Sequence, residues 1–134
     1  MRFTGTLLLM ALAASPLSAH HSFAAEFDAN KPLKLRGKVT KVEFINPHSW
    51  IHIDVKTPDG KVEQWMVEGG APNALLRRGW NKKSLTEGTE ILVEGFQAKD
   101  GAMRANGRDI TFPDGKKLFV GSSGTGAPDE RPDK

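Results

Sequence analysis

The segment Thr57-Pro58-Asp59-Gly60-Lys61 constrains this chain more than any other. Pro58 presets the backbone at the first turn position and Gly60 accepts the left-handed conformation, so the five residues read as a hairpin turn. The stretch before it alternates: Ile51, Ile53 and Val55 share one face, and Trp50, His52 and Asp54 share the other. If Thr57 pairs with Lys61, Ile53 faces Trp65 and Ile51 faces Val67 on an apolar inner face. On the outer face His52 then lies opposite Met66, and Trp50 opposite Glu68. A slip of one residue would exchange the two faces, so the hydrophobic pattern selects this register.

The remaining strands follow from the same reasoning. Leu33, Leu35, Gly37 and Val39 alternate with Lys34, Arg36, Lys38 and Thr40, after which Val42 and Phe44 are apolar on the opposite parity. That switch predicts a bulge or sharp bend near Thr40-Lys41, a device that curls sheets. Asn46-Pro47 ends the strand. Pro72 to Gly79 predicts a short helix, with Pro72 in its first turn and Gly79 behind Arg77 and Arg78. Glu90 to Gln97, Met103 to Phe112 and Lys116 to Val120 predict further strands; Pro113-Asp114-Gly115 repeats the chemistry of the first turn. The expected fold is mainly β: a small five- to six-stranded OB-like, partly open barrel with one short helix between strands three and four. Another small open barrel or a β-sandwich is the competing architecture. Residues 20–31 read as a polar lead-in, and residues 121–134, rich in Gly, Ser, Pro and charge, as a disordered tail.

Residues 1–19 read as a cleaved signal peptide, leaving a single domain over 20–120 and the tail. Arg2 precedes the apolar run Leu7 to Ala14, then Pro16 and the small residues Ser18-Ala19. The run is shorter than the ~20 apolar residues needed to span a bilayer. A periplasmic location is expected, with no membrane span in the mature form. Cleavage after Ala19 leaves 115 of 134 residues, enough for one core. Their 18 basic and 16 acidic residues are balanced and dispersed, which argues against nucleic acid as a partner. The absence of cysteine excludes disulfides, thiol catalysis and thiolate metal sites.

The four histidines form two groups, His20-His21 at the expected mature N-terminus and His48 with His52 at the start of the second strand. Neutral imidazole suits copper, zinc and nickel. A first-residue His20 would offer its α-amine and its ring to one Cu(II), and Met66 would offer a soft thioether opposite His52. In a straight strand His48 and His52 stand ~13 Å apart, which strains a shared metal. Each residue also has a plainer reading: terminal polar residues for His20 and His21, a turn residue for His48, a solvated ring for His52, packing for Met66. The expectation is a small binding protein taking copper or another transition metal, or alternatively a metal-independent OB-like module for an envelope ligand or partner protein. In that alternative Trp50 and His52 on the outward face, with Met66 and Glu68 opposite them and Arg104, Asn106 and Arg108 in or near the loop between the last strands, form the ligand surface. Adjacent strand residues point to opposite faces, so Ser49–His48 does not make a nucleophile, and no catalytic motif suggests an enzyme.

Several strings are distinctive as a set: His20-His21-Ser22-Phe23-Ala24-Ala25-Glu26-Phe27-Asp28, Gly37-Lys38-Val39-Thr40-Lys41-Val42-Glu43, Asn46-Pro47-His48, Pro72-Asn73-Ala74-Leu75-Leu76-Arg77-Arg78-Gly79-Trp80 and Leu118-Phe119-Val120-Gly121-Ser122-Ser123. Together they resemble domain-of-unknown-function family 6152, small exported proteins of Gram-negative bacteria, over roughly residues 20–123. The resemblance implies a periplasmic location and a small β-barrel-like fold, and it carries over no catalytic residue.

Overall fold

The computed structural model describes residues 22–131. The expected signal peptide and the pair His20 and His21 lie outside the described residues. The elements run α1 (Phe23–Glu26), β1 (Phe27–Phe44), β2 (Ser49–Lys56), β3 (Val62–Glu68), α2 (Pro72–Arg77), β4 (Glu90–Ala98), β5 (Arg104–Thr111) and β6 (Lys117–Phe119). The protein is mainly β, and α2 occupies the expected slot between the third and fourth strands.

One sheet holds all six of these strands in the order β3-β2-β1-β4-β5-β6, and β3 also pairs with β5. Hydrogen bonding therefore runs in a ring through β1, β2, β3, β5 and β4. Every pairing is antiparallel except the closing one, where Met66, Val67 and Glu68 run parallel to Arg104, Ala105 and Asn106. Closing the ring removes two edges that would otherwise present unpaired backbone groups.

The β2–β3 hairpin has the register that its turn and apolar pattern predict, Ile53 opposite Trp65 and Ile51 opposite Val67. The bend is also where the parity switch predicts it: Val39 pairs with Ile53 and Lys41 with His52, so Thr40 is the extra residue. A second bulge lies in β5, where Glu94 pairs with Asp109 and Gly95 with Gly107, leaving Arg108 as the extra residue. A Cβ on Gly95 would stand 2.1 Å from the Asn106 carbonyl oxygen, so only glycine permits this close approach.

Val39, Ile51, Ile53, Val67, Ile91, Val93 and Ile110 fill the interior, and Leu75 and Trp80 from the α2 region pack against them. Burying a side chain of this size contributes about 1.5–3 kcal/mol. The Trp80 indole N–H donates to the Phe119 carbonyl at 2.8 Å, which ties the α2 region to β6.

Both ends of the described region, residues 22–31 and 121–131, depart from expectation. The lead-in forms α1 and the start of β1, and Phe23 and Phe27 join Phe96, Ala98 and Ala127 in a second apolar cluster. Phe23 meets Phe96 edge-on, with ring centroids 5.4 Å apart. The tail, expected to be disordered from Gly121, packs on the domain through Arg131. The Phe23 amide donates to the Thr125 carbonyl at 2.8 Å, and Arg131 makes two 3.0 Å hydrogen bonds to the Asp109 carboxylate. Gly121 lets the start of the tail lie close to β5 and β6, whereas Gly124 and Gly126 adopt positive φ in open space. At Gly121 a Cβ would come within 2.6 Å of Arg108 Nη1.

Candidate functional site

The outer face carries two adjacent rows of mostly polar side chains. Cross-strand partners share a face, so the register brings Glu43, Trp50, Glu68, Asn106 and Phe96 side by side across β1, β2, β3, β5 and β4. The next row brings Lys41, His52, Met66 and Arg104 together. Trp50 is half-buried, whereas Glu68 and Asn106 are buried.

His48 lies just before β2 and points at this first row. Its Nδ1 is 3.7 Å from Oε1 of Glu68, and only a tenth of either side chain is exposed. Burial pushes the Glu68 carboxyl up to about 7, with the nearby negative charge of Glu26 adding to the effect and Arg104 offsetting part of it. The Oδ1 atom of Asn106, beside Glu68 in register, is buried without a hydrogen-bond partner among the described residues. An imidazole, a carboxylate and an amide oxygen thus share one buried neighbourhood. There an ionised carboxylate is costly unless a positive charge compensates it, which is why the Glu68 carboxyl holds its proton to a higher pH than usual.

His52 belongs to a different group. Its Nε2 lies 2.8 Å from Oε2 of Glu43, and Lys41 donates to the other oxygen of that carboxylate at 2.7 Å. Hydrogen bonds from Lys41 and then His52 hold Glu43 below the usual carboxylate range. His48 and His52 therefore face separate carboxylates. Among the described residues no three of His, Cys, Asp and Glu converge as a metal group. Met66 is partly exposed on the outer face beside His52.

The two arginines expected near the last loop lie within β5 instead, and they separate. The Arg104 guanidinium stands 5.6 Å from the centre of the Phe27 ring. Arg108, the bulged residue, is buried 4.8 Å from the Phe119 ring and donates to the Asp129 carbonyl at 2.9 Å. Arg78 and Arg131 approach the same ring at 4.8 and 4.4 Å, so three cations surround one phenyl group and hold the tail. Arg108 thereby serves the tail rather than the row containing Trp50 and Glu68.

Glu26 is the residue that sequence reasoning missed. Its relation to Glu68 depends on the lead-in folding back over the outer face, and no local pattern signals that. Among the described residues no helix is long and apolar enough to cross a membrane. In comparisons with known proteins, the model of a family of unknown function, DUF6152, matches residues 8–107. No curated protein and no solved structure matches the chain.

Proposed function

The chain belongs to the family of unknown function DUF6152, and from its geometry we propose that it is a small exported, periplasmic protein that binds a transition metal, copper foremost, at His48, Glu68 and Asn106. His20 and His21 complete the ligand set in this reading. The observation that carries it is the His48–Glu68 pair, 3.7 Å apart and buried where the lead-in crosses the outer face. Glu26 acts on Glu68 electrostatically, and only Ser22 and α1 separate the histidine pair from Phe27 in the chain. Imidazole nitrogen suits copper, zinc and nickel, and a carboxylate ordinarily orients or joins such ligands. His52, engaged by Glu43, stands outside the proposed set.

Calorimetric titration of Cu(II) and Zn(II) into protein beginning at His20 tests this reading. The expected result is one site per chain, weakened roughly 10–100-fold by His48→Ala or Glu68→Gln and unchanged by His52→Ala. Binding no tighter than that of a variant lacking all four histidines would overturn it. Trp50, next to Glu68 in the outer row, favours one alternative: a metal-independent module for an envelope ligand or partner protein. Under that alternative Trp50→Ala abolishes binding and the histidine changes do not.

A further inference from the structure

The end of the molecule bearing α2 combines three features that the metal reading does not use. The first is aliphatic exposure: Ile45 is 57% exposed and Leu76 56% exposed. The second is a recess of about 130 Å³ lined by Phe44, Pro72, Leu75, Leu76 and Trp80, with Lys82 at its rim. The third is segregated charge. Residues 69–86 contain Arg77, Arg78, Lys82 and Lys83 and no acidic residue, although the whole chain has 16 acids. Arg78 is directed to the tail, where it donates to Ser123 Oγ at 2.6 Å. Arg77, Lys82 and Lys83 are exposed. The acids nearest in sequence to Ile45 and to residues 69–86 are Glu43, Glu68 and Glu87; Glu43 is held by Lys41 and His52, and Glu68 is buried.

We propose that this end docks on an anionic lipid surface, with Ile45 and Leu76 entering the headgroup boundary and Arg77, Lys82 and Lys83 meeting the phosphates. The recess is smaller than the ~300–1,000 Å³ of a site that encloses a whole small molecule. Its size suits a short length of acyl chain instead. Lysine is depleted from the cores of protein–protein interfaces, whereas lysine and arginine beside exposed aliphatic side chains match an anionic membrane surface. The proposal is independent of metal binding.

Co-sedimentation of the chain beginning at His20 with phosphatidylglycerol/phosphatidylcholine vesicles, and with pure phosphatidylcholine vesicles, tests it. Binding is expected to the anionic vesicles only and to weaken as salt is raised. Lys82→Glu/Lys83→Glu should reduce the partition coefficient at least roughly tenfold, since each basic residue contributes separately. Ile45→Ser/Leu76→Ser should reduce it as well while leaving the thermal transition in place, because both side chains are exposed. Equal partition to the two vesicle types, no partition to either, or undiminished binding by both double variants would overturn the proposal. Capture of an acidic protein without any vesicle binding would overturn it too.

Discussion

Nδ1 of His48 lies 3.7 Å from Oε1 of Glu68, with only a tenth of either side chain exposed. Both residues sit at the open end of the β2–β3 hairpin, away from its turn: His48 precedes β2 and Glu68 closes β3. The negative charge of Glu26, at the end of α1, adds to the effect of burial in raising the Glu68 carboxyl. This concentration of acid under little solvent has consequences for stability and for metal affinity.

Glu68 makes the metal-free protein less stable as pH rises. Its folded-state pKa, about 7, is above the ordinary value of 4.5. The unfolded chain therefore releases this proton first, and stability falls as pH climbs from about 4.5 through 7. Glu68→Gln should unfold with nearly wild-type stability at pH 5 and be more stable at pH 8, by on the order of 2–3 kcal/mol. Urea unfolding of both proteins at the two pH values measures the difference, and parallel pH profiles would contradict it.

Metal binding should depend on a correctly formed N-terminus. If the His20 α-amine is a ligand, a tag or an uncleaved leader before it blocks that donor, and Cu(II) affinity should fall at least roughly tenfold. Affinity should also fall with pH, because protons compete for imidazole and amine. Mass mapping of protein taken from the periplasm, with metal analysis of the same sample, checks cleavage and occupancy together.

The tail holds α1. Arg78, Arg108 and Arg131 surround Phe119, and the Thr125 carbonyl accepts from the Phe23 amide. Phe119→Ala should release residues 121–131 and then α1, seen as faster hydrogen exchange at Phe23 and proteolytic cleavage near Thr125. A cation–π contact contributes ~0.5–2 kcal/mol, so loss of three contacts should free the tail before the sheet. Under the metal reading the same variant weakens Cu(II) binding by loosening the lead-in. Exchange at Phe23 identical to wild type would show that the tail does not anchor α1.

Gly95 should tolerate no side chain. Its Cβ would meet a backbone oxygen, Asn106 O, at 2.1 Å, so neither partner can yield without breaking the bulge. Gly95→Ala should cost more than ~3 kcal/mol, at the severe end for single substitutions. Gly60→Ala, at φ +85° with open space around it, should cost only ~1–2 kcal/mol. Thermal denaturation of the two variants gives the order, and equal losses would contradict this account.

The sequence alone determined the β2–β3 register and the bulge at Thr40, because turn chemistry and a two-residue period act between near neighbours. The pairing of Ile53 with Trp65 and of His52 with Met66 followed from one loop. The position of α2 was legible for the same reason: Pro72 and Gly79 mark its ends locally. Of the candidate site, the row containing Trp50 and Glu68 was legible on β2 and β3; Asn106 was expected near it but in or near a loop, and its place in β5 as the register partner of Glu68 was not legible. That place needs the parallel β3–β5 contact, between segments about forty residues apart. The effect of Glu26 on Glu68 and the bond from Phe23 to Thr125 exist only because residues 22–27 and 121–131 pack on the strand ring. Their small and polar residues have the composition of disordered segments. What orders them is shape, backbone hydrogen bonds and an apolar cluster that exists only in the tertiary structure.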